Sequence, residues 1–397
     1  MIHTVLPLAP ESGADSQRFA PVSNLMLALS DRCNLRCTYC FVNKTSRKMK
    51  PEVARQSVDF FLHRNITGVL PEVTISFFGG EPFLELDLME IVIEHARAYR
   101  HDCRKRVLYC ATTNGTIATP RVERCVKDSH MDLLISVDGE ARAQRARPFE
   151  SGAESYSVVA RNLSKLMNWS RRAIVRLTYH PDNLDFVGGL SHLLSLGAHS
   201  VGLAPVVEAD WEGLEERLET AYEELADWFV REARRGNILP IESSWLLLKR
   251  LDWSLRGWPG AERPCPVAQD LLGVNPDGQV MPCHRYLYRP QDWLGSVDRP
   301  KLSLARDQYL DLRRHHLKEC ADCPARSVCQ GGCRLLAVEA GLGLQGVLPA
   351  YCLHLRAHAR AVTRIYQTLW TERNEGFLRV LRSPSPLSSA ISELALN

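Results

Sequence analysis

The 397-residue chain has no run of eighteen or more apolar residues, so a helical membrane span is excluded. Its opening residues, MIHTVLPLAPESGADSQRF, lack the charged start and continuous apolar stretch of an export signal. No block of like charge occurs: 49 lysines and arginines against 46 acids leave a net charge of +3, with the two signs interleaved. A nucleic acid or other polyanionic partner is therefore not indicated. No internal repeat of fixed period is present. These absences lead us to expect a cytoplasmic protein with neither membrane nor nucleic acid among its partners.

What the chain does hold is cysteine, thirteen in all. Without an export signal these thiols would stay reduced, so their clustering points to metal ligation or redox work rather than to a disulfide framework. A hydrophobic content of 45% gives enough apolar material for a substantial core, and the length leaves room for two domains.

From about residue 25 to 235, strand-like runs alternate with helical patterns, which predicts an α/β fold built on parallel sheet. The strand candidates are Leu25 to Ser30, Val73 to Phe78, Val107 to Thr112, Leu133 to Val137, Ala173 to Thr178 and Val201 to Val206. Helix candidates between them include Pro51 to Arg64 and Leu84 to Arg100, the first with proline near its first turn. Six such units fit a partial, TIM-like (β/α)6 barrel. Loops leaving the carboxyl ends of its strands would build the active site. After an amphipathic stretch from Trp211 to Arg235, periodicity weakens and seven cysteines fall between Cys265 and Cys352. A helix is expected from about Leu353 to Asn374. The division is an extension over 1–22, the barrel over 23–235, a metal-stapled domain with a terminal helix over 236–375 and a tail over 376–397.

Directly after the first strand comes Asp31-Arg-Cys33-Asn-Leu-Arg-Cys37-Thr-Tyr39-Cys40, a CxxxCxxC spacing at the expected catalytic rim. Three thiolates can hold three irons of a cubane and leave the fourth open for a substrate or cosubstrate. Three cysteines with a distant histidine would also serve zinc. The second strand runs into Gly79-Gly80-Glu81-Pro82, the third into Thr113-Asn114-Gly115 and the fourth into Ser136-Val137-Asp138-Gly139.

With these segments the chain resembles the radical S-adenosylmethionine (SAM) superfamily. The resemblance implies a [4Fe-4S] cluster on Cys33, Cys37 and Cys40. Its open iron would chelate S-adenosylmethionine, which is cleaved to a 5'-deoxyadenosyl radical that takes a substrate hydrogen. It further implies that Tyr39, Gly79, Gly80, Glu81, Asn114, Ser136 and Asp138 line the cosubstrate site, and that Arg147 receives its carboxylate. Relatives carry a His-Asp pair shortly before that arginine; this chain has Ala143-Gln144-Arg145.

The distal cysteines, Cys265-x12-Gly278-x4-Cys283, then Cys320-x2-Cys323-x5-Cys329-x3-Cys333 and finally Cys352, resemble the seven-cysteine SPASM domain. Seven clustered thiolates are too many for one metal and nearly enough for two four-ligand clusters. The resemblance assigns Cys320, Cys323, Cys329 and Cys352 to one [4Fe-4S] cluster and Cys265, Cys283 and Cys333 to another, three clusters in all. His284 stands where anaerobic sulfatase maturases, which share this architecture, have an aspartate regarded as a general base; histidine can also accept a proton near neutral pH, hydrogen-bond a cluster sulfur, or complete the ligand set of Cys265, Cys283 and Cys333.

The expected function is a peptide or protein maturase that forms a carbon-carbon or thioether crosslink in a ribosomally made peptide. The alternatives are a sulfatase maturase forming formylglycine and a non-catalytic metal-binding or electron-transfer protein. A flavodoxin or ferredoxin is the implied electron donor. Only some twenty residues precede the first strand, so leader recognition would come from elsewhere on the chain or from a separate leader-binding protein. Cys103, Cys110 and Cys125 fit no ligand pattern and read as small packed residues. Tyr179 reads as a site residue or a packing one. Arg356, Arg360 and Arg364 recur every four residues, as on a solvated helix face.

Overall fold

Asn24–Ala28, the sequence NLMLA, is apolar on both faces of the pleat and wholly buried, as a strand needs to be when sheet continues on either side of it. In the computed structural model it forms β1, with Glu72–Phe78 (β2) parallel on one edge and Leu271–Val274 (β7) parallel on the other. The model describes residues 21–103, 105–257, 265–302, 309, 320–329 and 331–383. The first twenty residues and those after 383, assigned above to an extension and a tail, lie outside the described residues, as does the side chain of Cys103.

Two compact units interleave along the chain. The first takes residues 1–32, 44–109 and 266–314. It holds β1, β2 and β7, with Val280–Met281 (β8) antiparallel to β7, and the helices Pro51–Leu62 (α1), Arg64–Thr67 (α2) and Leu86–Cys103 (α3). Pro51 stands at the start of α1, where its missing N–H costs nothing. The β7–β8 hairpin was not anticipated. It turns on Asn275, whose side-chain oxygen accepts from the Asp277 and Gln279 amides at 3.0 Å each, with Gly278 at φ 80°.

The second unit takes residues 33–43, 110–265 and 315–397, so the chain crosses between units within the strand Arg106–Thr113 (β3). Here the later part of β3, Asp132–Ser136 (β4), Arg172–Tyr179 (β5) and Val201–Pro205 (β6) form a parallel ladder in that order. Between the strands run Pro120–Asp128 (α4), Ala141–Gln144 (α5), Tyr156–Trp169 (α6) and Phe186–Ser195 (α7). The starts of α4 and α7 are capped by Thr119 and Asp185, which accept from the amides of Val122 at 3.3 Å and Gly188 at 2.7 Å; such caps are worth about 1 kcal/mol each. After β6 come Glu215–Arg234 (α8), Glu242–Leu255 (α9), Arg334–Glu339 (α10), Pro349–Thr371 (α11) and Glu375–Arg382 (α12), with α11 packed on α8 and α9.

The fold class is α/β as expected, and all six anticipated strands are present within one or two residues of their expected bounds. Among the described residues no helix is long and apolar enough to cross a membrane.

Candidate radical and cysteine sites

The loop carrying Cys33, Cys37 and Cys40 is fixed by backbone pairing with residues 146–150. Arg36 N donates to Pro148 O at 2.8 Å, Thr38 N to Ala146 O at 2.9 Å, and Glu150 N to Asn34 O at 3.0 Å. Asn114, at the end of β3, braces the same loop: its amide donates to Asn34 Oδ1 at 2.9 Å and reaches Cys33 Sγ at 3.6 Å. Asn114, expected in the lining of the cosubstrate site, thus also positions the first cysteine. Its oxygen in turn accepts from the Thr116 amide at 3.0 Å. Cys33 and Cys37 are half-buried and Cys40 is exposed, so the three thiols sit at a rim.

That pairing brings Arg147 beneath the cysteine loop. Its Nη1 donates to Tyr39 Oη at 2.9 Å and lies 3.4 Å from Asp138 Oδ1; Tyr39 Oη donates to Asp138 Oδ2. All three side chains are desolvated. Burial pushes the Tyr39 hydroxyl well up from its ordinary value, and it raises the Asp138 carboxyl while Arg147 pulls that carboxyl back. Gln144, in the segment where relatives have a His-Asp pair, is fully buried. It accepts from the Asp138 amide at 3.0 Å and donates to Ser155 Oγ at 3.2 Å. Arg147 Nε is buried and unpartnered, which leaves one donor of a fixed fork for a ligand. Ser136 is buried at the end of β4, two residues before Asp138.

Beside Tyr39 opens a cavity of about 770 Å³, lined by Thr38, Arg142, Arg145, Arg217, His180 and Asp182 among others. His180 lies 6.3 Å ring to ring from Tyr39, and its Nε2 is buried without a partner. Sequence reasoning did not single out Gln144 or His180. The only available signal was their position just past strands β4 and β5.

Within the first unit, Gly79 and Gly80 are required by the chain's own backbone. A Cβ on Gly79, at φ 125°, would lie 2.3 Å from Ser30 O, and one on Gly80 would lie 2.0 Å from Arg32 O. Gly80 N and Glu81 N donate to those same carbonyls, each at 2.8 Å. Glu81 is buried and accepts from the Phe83 amide at 3.1 Å, capping the 3₁₀ turn Pro82–Glu85. Glu85 then holds Arg32 at 3.2 Å and Lys48 at 2.6 Å. His284 opens a 3₁₀ turn after Cys283, with its ring 4.8 Å from that of Phe78, the residue before Gly79.

Residues 27–168 match the Radical SAM superfamily. The chain therefore carries a radical SAM domain over residues 27–168. It is 23% identical over 347 residues to the serine-type anaerobic sulfatase-maturating enzyme of Klebsiella aerogenes, covering 83% of this chain and 82% of that enzyme. It is 26% identical over 369 residues to the PqqA peptide cyclase of Xanthomonas campestris pv. campestris, covering 85% and 89%. Other matches are partial: the chain spans 61% of the length of a Methanocaldococcus jannaschii protein and 29% of the radical SAM cyclopropyl synthase TigE. Among solved structures, anSMEcpe with bound AdoMet shares the fold at a TM-score of 0.73 and 20% identity, over 94% of this chain and 98% of that one.

The radical SAM domain implies S-adenosylmethionine and one [4Fe-4S] cluster, and the residues present fit both: three rim thiols and, close by, a buried arginine with a spare donor. The distal cysteines of this radical SAM chain separate by unit. Cys320, Cys323, Cys329 and Cys352 all lie in the second unit and act on one another. Burial pushes the Cys352 thiol up to about 11, with Cys329, Cys320 and Cys323 adding to the rise and Arg356 opposing it. Burial raises Cys329 likewise, while the Gly331 amide donates to its sulfur at 3.1 Å. Thiols that resist ionising together suit a bound polycation that neutralises them. Among the described residues no three donors close on a single metal ion; a cluster of several irons holds its thiolates farther apart than one ion would. Cys265 and Cys333 belong to the second unit and Cys283 to the first.

Cys110 and Cys125 are buried packing residues, as expected. Tyr179 is entirely buried, bonded to Tyr222 Oη at 2.8 Å and His354 Nδ1 at 3.1 Å, which is a packing role. The stripe on α11 is not a merely solvated face: Arg360 pairs with Glu219 and Arg364 with Asp227 of α8.

Proposed function

We propose that this chain is a radical SAM enzyme that removes a hydrogen from a peptide or protein side chain and closes a carbon-carbon or thioether crosslink in a ribosomally made peptide. The observation that carries this reading is the extent of the likeness. It runs past residue 168 through the cysteine-bearing carboxyl-terminal part to reach 85% of the chain in a peptide cyclase. The cavity beside Tyr39 lies within the size range of a ligand pocket and supplies the peptide's place.

When bound, the cluster and S-adenosylmethionine supply a 5'-deoxyadenosyl radical. The chain's own residues do the rest. Cys33, Cys37 and Cys40 hold the irons. Arg147 turns its spare Nε donor to the cosubstrate carboxylate, while Tyr39 and Asp138 keep its guanidinium in place. Gly79, Gly80 and Glu81 receive the amino group, and Asn114 and Ser136 complete the lining. Of the two hydrogens lost, one would leave as an atom to the 5'-deoxyadenosyl radical and the other as a proton to His284, its electron being taken by an auxiliary cluster held by the distal cysteines. Cys320, Cys323, Cys329 and Cys352 hold one further [4Fe-4S] cluster, and Cys265, Cys283 and Cys333 another. This division of labour corresponds to a barrel over 23–235 and an auxiliary domain over 236–375. The enzyme works in the cytoplasm with a flavodoxin or ferredoxin as donor and a separate protein to recognise the leader.

Formylglycine formation is the second reading, supported by the likeness to the Klebsiella maturase. Incubation of reconstituted protein with candidate precursor peptides and a sulfatase-derived peptide separates the two. Loss of two hydrogens with a new linkage in tandem mass spectra supports crosslinking, and an aldehyde captured by a hydrazide supports the maturase. If neither peptide changes and no 5'-deoxyadenosine forms, a metal-holding or electron-transfer role takes their place. His284→Gln should lower modified peptide at least tenfold while 5'-deoxyadenosine continues to form.

A further inference from the structure

Gln144 ends the short helix α5 and is 1% exposed. Its side-chain oxygen accepts from the Asp138 amide at 3.0 Å, and because that amide can only donate, the Nε2 end must face Ser155 Oγ, 3.2 Å away. Ser155, also 1% exposed, passes the bond on: its hydroxyl donates to Arg147 O at 2.7 Å. The Arg147 amide meanwhile donates to Gln144 O at 2.9 Å. Both main-chain polar groups of Arg147 and the amide of Asp138 are thus held from Gln144, with Ser155 as the intermediary to the Arg147 carbonyl. This relay leaves the guanidinium alone, whose Nη1 bonds Tyr39 and Asp138. It sets where the main chain of Arg147 sits, and with it where the spare Nε points.

We infer that Gln144 and Ser155 are positioning residues for Arg147: they hold its main chain in register with Asp138 so that the guanidinium presents its spare Nε donor to the cosubstrate carboxylate. The inference rests on the reading that Arg147 receives that carboxylate. A fixed fork recognises a carboxylate only while its donors are in place, since affinity falls with the fraction of molecules in which the site is formed. Ser155→Ala removes one buried hydroxyl and leaves Arg147 O and Gln144 Nε2 without that partner. A roughly three- to tenfold loss of carboxylate recognition is expected from it, the worth of about one buried hydrogen bond. Gln144→Met keeps the length of the side chain but breaks the relay at both ends, and the loss should be about tenfold or more.

The test compares two probes by anaerobic equilibrium dialysis on the full-length reconstituted protein: S-adenosylmethionine, and decarboxylated S-adenosylmethionine, which lacks the group assigned to Arg147. The readout is the ratio of their dissociation constants. A merely structural role would weaken both probes alike and leave that ratio unmoved. The preference for the carboxylated probe should shrink by the stated factors in Ser155→Ala and Gln144→Met, through weaker binding of S-adenosylmethionine alone. Ser155→Thr, which keeps the hydroxyl, should restore it. Should Gln144→Met fail to fold, Ser155→Ala decides. An unchanged ratio in Ser155→Ala, or an equal loss of both probes, overturns the inference where Arg147→Met does reduce the preference. A preference that Arg147→Met also leaves unchanged refutes the assignment of Arg147 to the carboxylate, and the inference falls with it.

Discussion

Replacing Arg147 with methionine would leave Asp138 ionised in a site from which water is excluded. In the pair the side chain of Arg147 is 6% exposed and that of Asp138 is 0% exposed, with Nη1 3.4 Å from Oδ1. Removing one partner of so buried a pair costs about 3–5 kcal/mol, most of it the penalty on the stranded charge. Asp138→Asn strands the guanidinium at a similar cost. The double variant strands neither, so it should fall short of the summed single costs by about 1.5–3 kcal/mol. The deficit of Arg147→Met also depends on pH. Burial already raises the Asp138 carboxyl in the native protein, and without Arg147 nothing of comparable strength pulls it back. A raised native pKa confers stability that is present below the unfolded value of about 3.9 and lost as pH rises through the native value. The variant should therefore lose ground to wild type as pH rises above the unfolded value of about 3.9, by at most about 1.4 kcal/mol per unit, and recover it in acid. Because the chain has two compact units, a single unfolding transition is not assured. The readout is therefore hydrogen exchange over residues 132–139 and 172–179, alongside urea unfolding. The Thr178 amide, which donates to Asp138 Oδ1 at 3.4 Å, is a local reporter. Additive single and double variants within about 0.5 kcal/mol, with no pH dependence, would show that Arg147 and Asp138 are not coupled.

Gly80→Ala must displace the backbone at Arg32 and loses two 2.8 Å backbone hydrogen bonds. About 2–6 kcal/mol of destabilisation is expected in urea, from bond loss and overpacking together, and a cost under 1 kcal/mol would contradict the packing. His358 is buried against Tyr222 and Ser244, which pushes its imidazole down to about 3. Its stabilising effect is complete above about pH 6.5 and fades as pH falls. Wild type should thus lose about 2 kcal/mol relative to His358→Gln between pH 7 and pH 5, measured as urea midpoints. Asn114→Ala removes the brace on Asn34 and Cys33. It should cost about 1–3 kcal/mol and reduce iron retained after gel filtration, and unchanged iron content would show that the brace is dispensable.

The strands were legible because buried parallel strands are short apolar runs, and the cysteine motifs because ligand spacing survives in linear form. Other features are made through space and leave no linear trace. The pairing of residues 34–38 with 146–150 carries Arg147 to Tyr39, yet nothing in either segment announces the other. Gln144 occupies a segment that departs from the family pattern, and its value lies in two buried hydrogen bonds that only the fold creates. The glycines before Glu81 were legible as a motif, but their close approach to residues 30–32 of the chain itself was not. Four-residue periodicity on α11 could not show that Arg360 and Arg364 pair with acids of α8, since the partners lie on another helix. The β7–β8 hairpin was obscured because LLGV is only four residues long and is followed at once by a turn.

Cys33, Cys37 and Cys40 are proposed to seat the cluster that cleaves S-adenosylmethionine. The most direct measurement is 5'-deoxyadenosine formed by anaerobically reconstituted protein with S-adenosylmethionine and a strong reductant, beside a variant with all three cysteines changed to alanine. Formation by the wild type and its absence from the variant is the predicted result. No nucleoside from fully iron-loaded wild type, or equal amounts from both proteins, would contradict the claim.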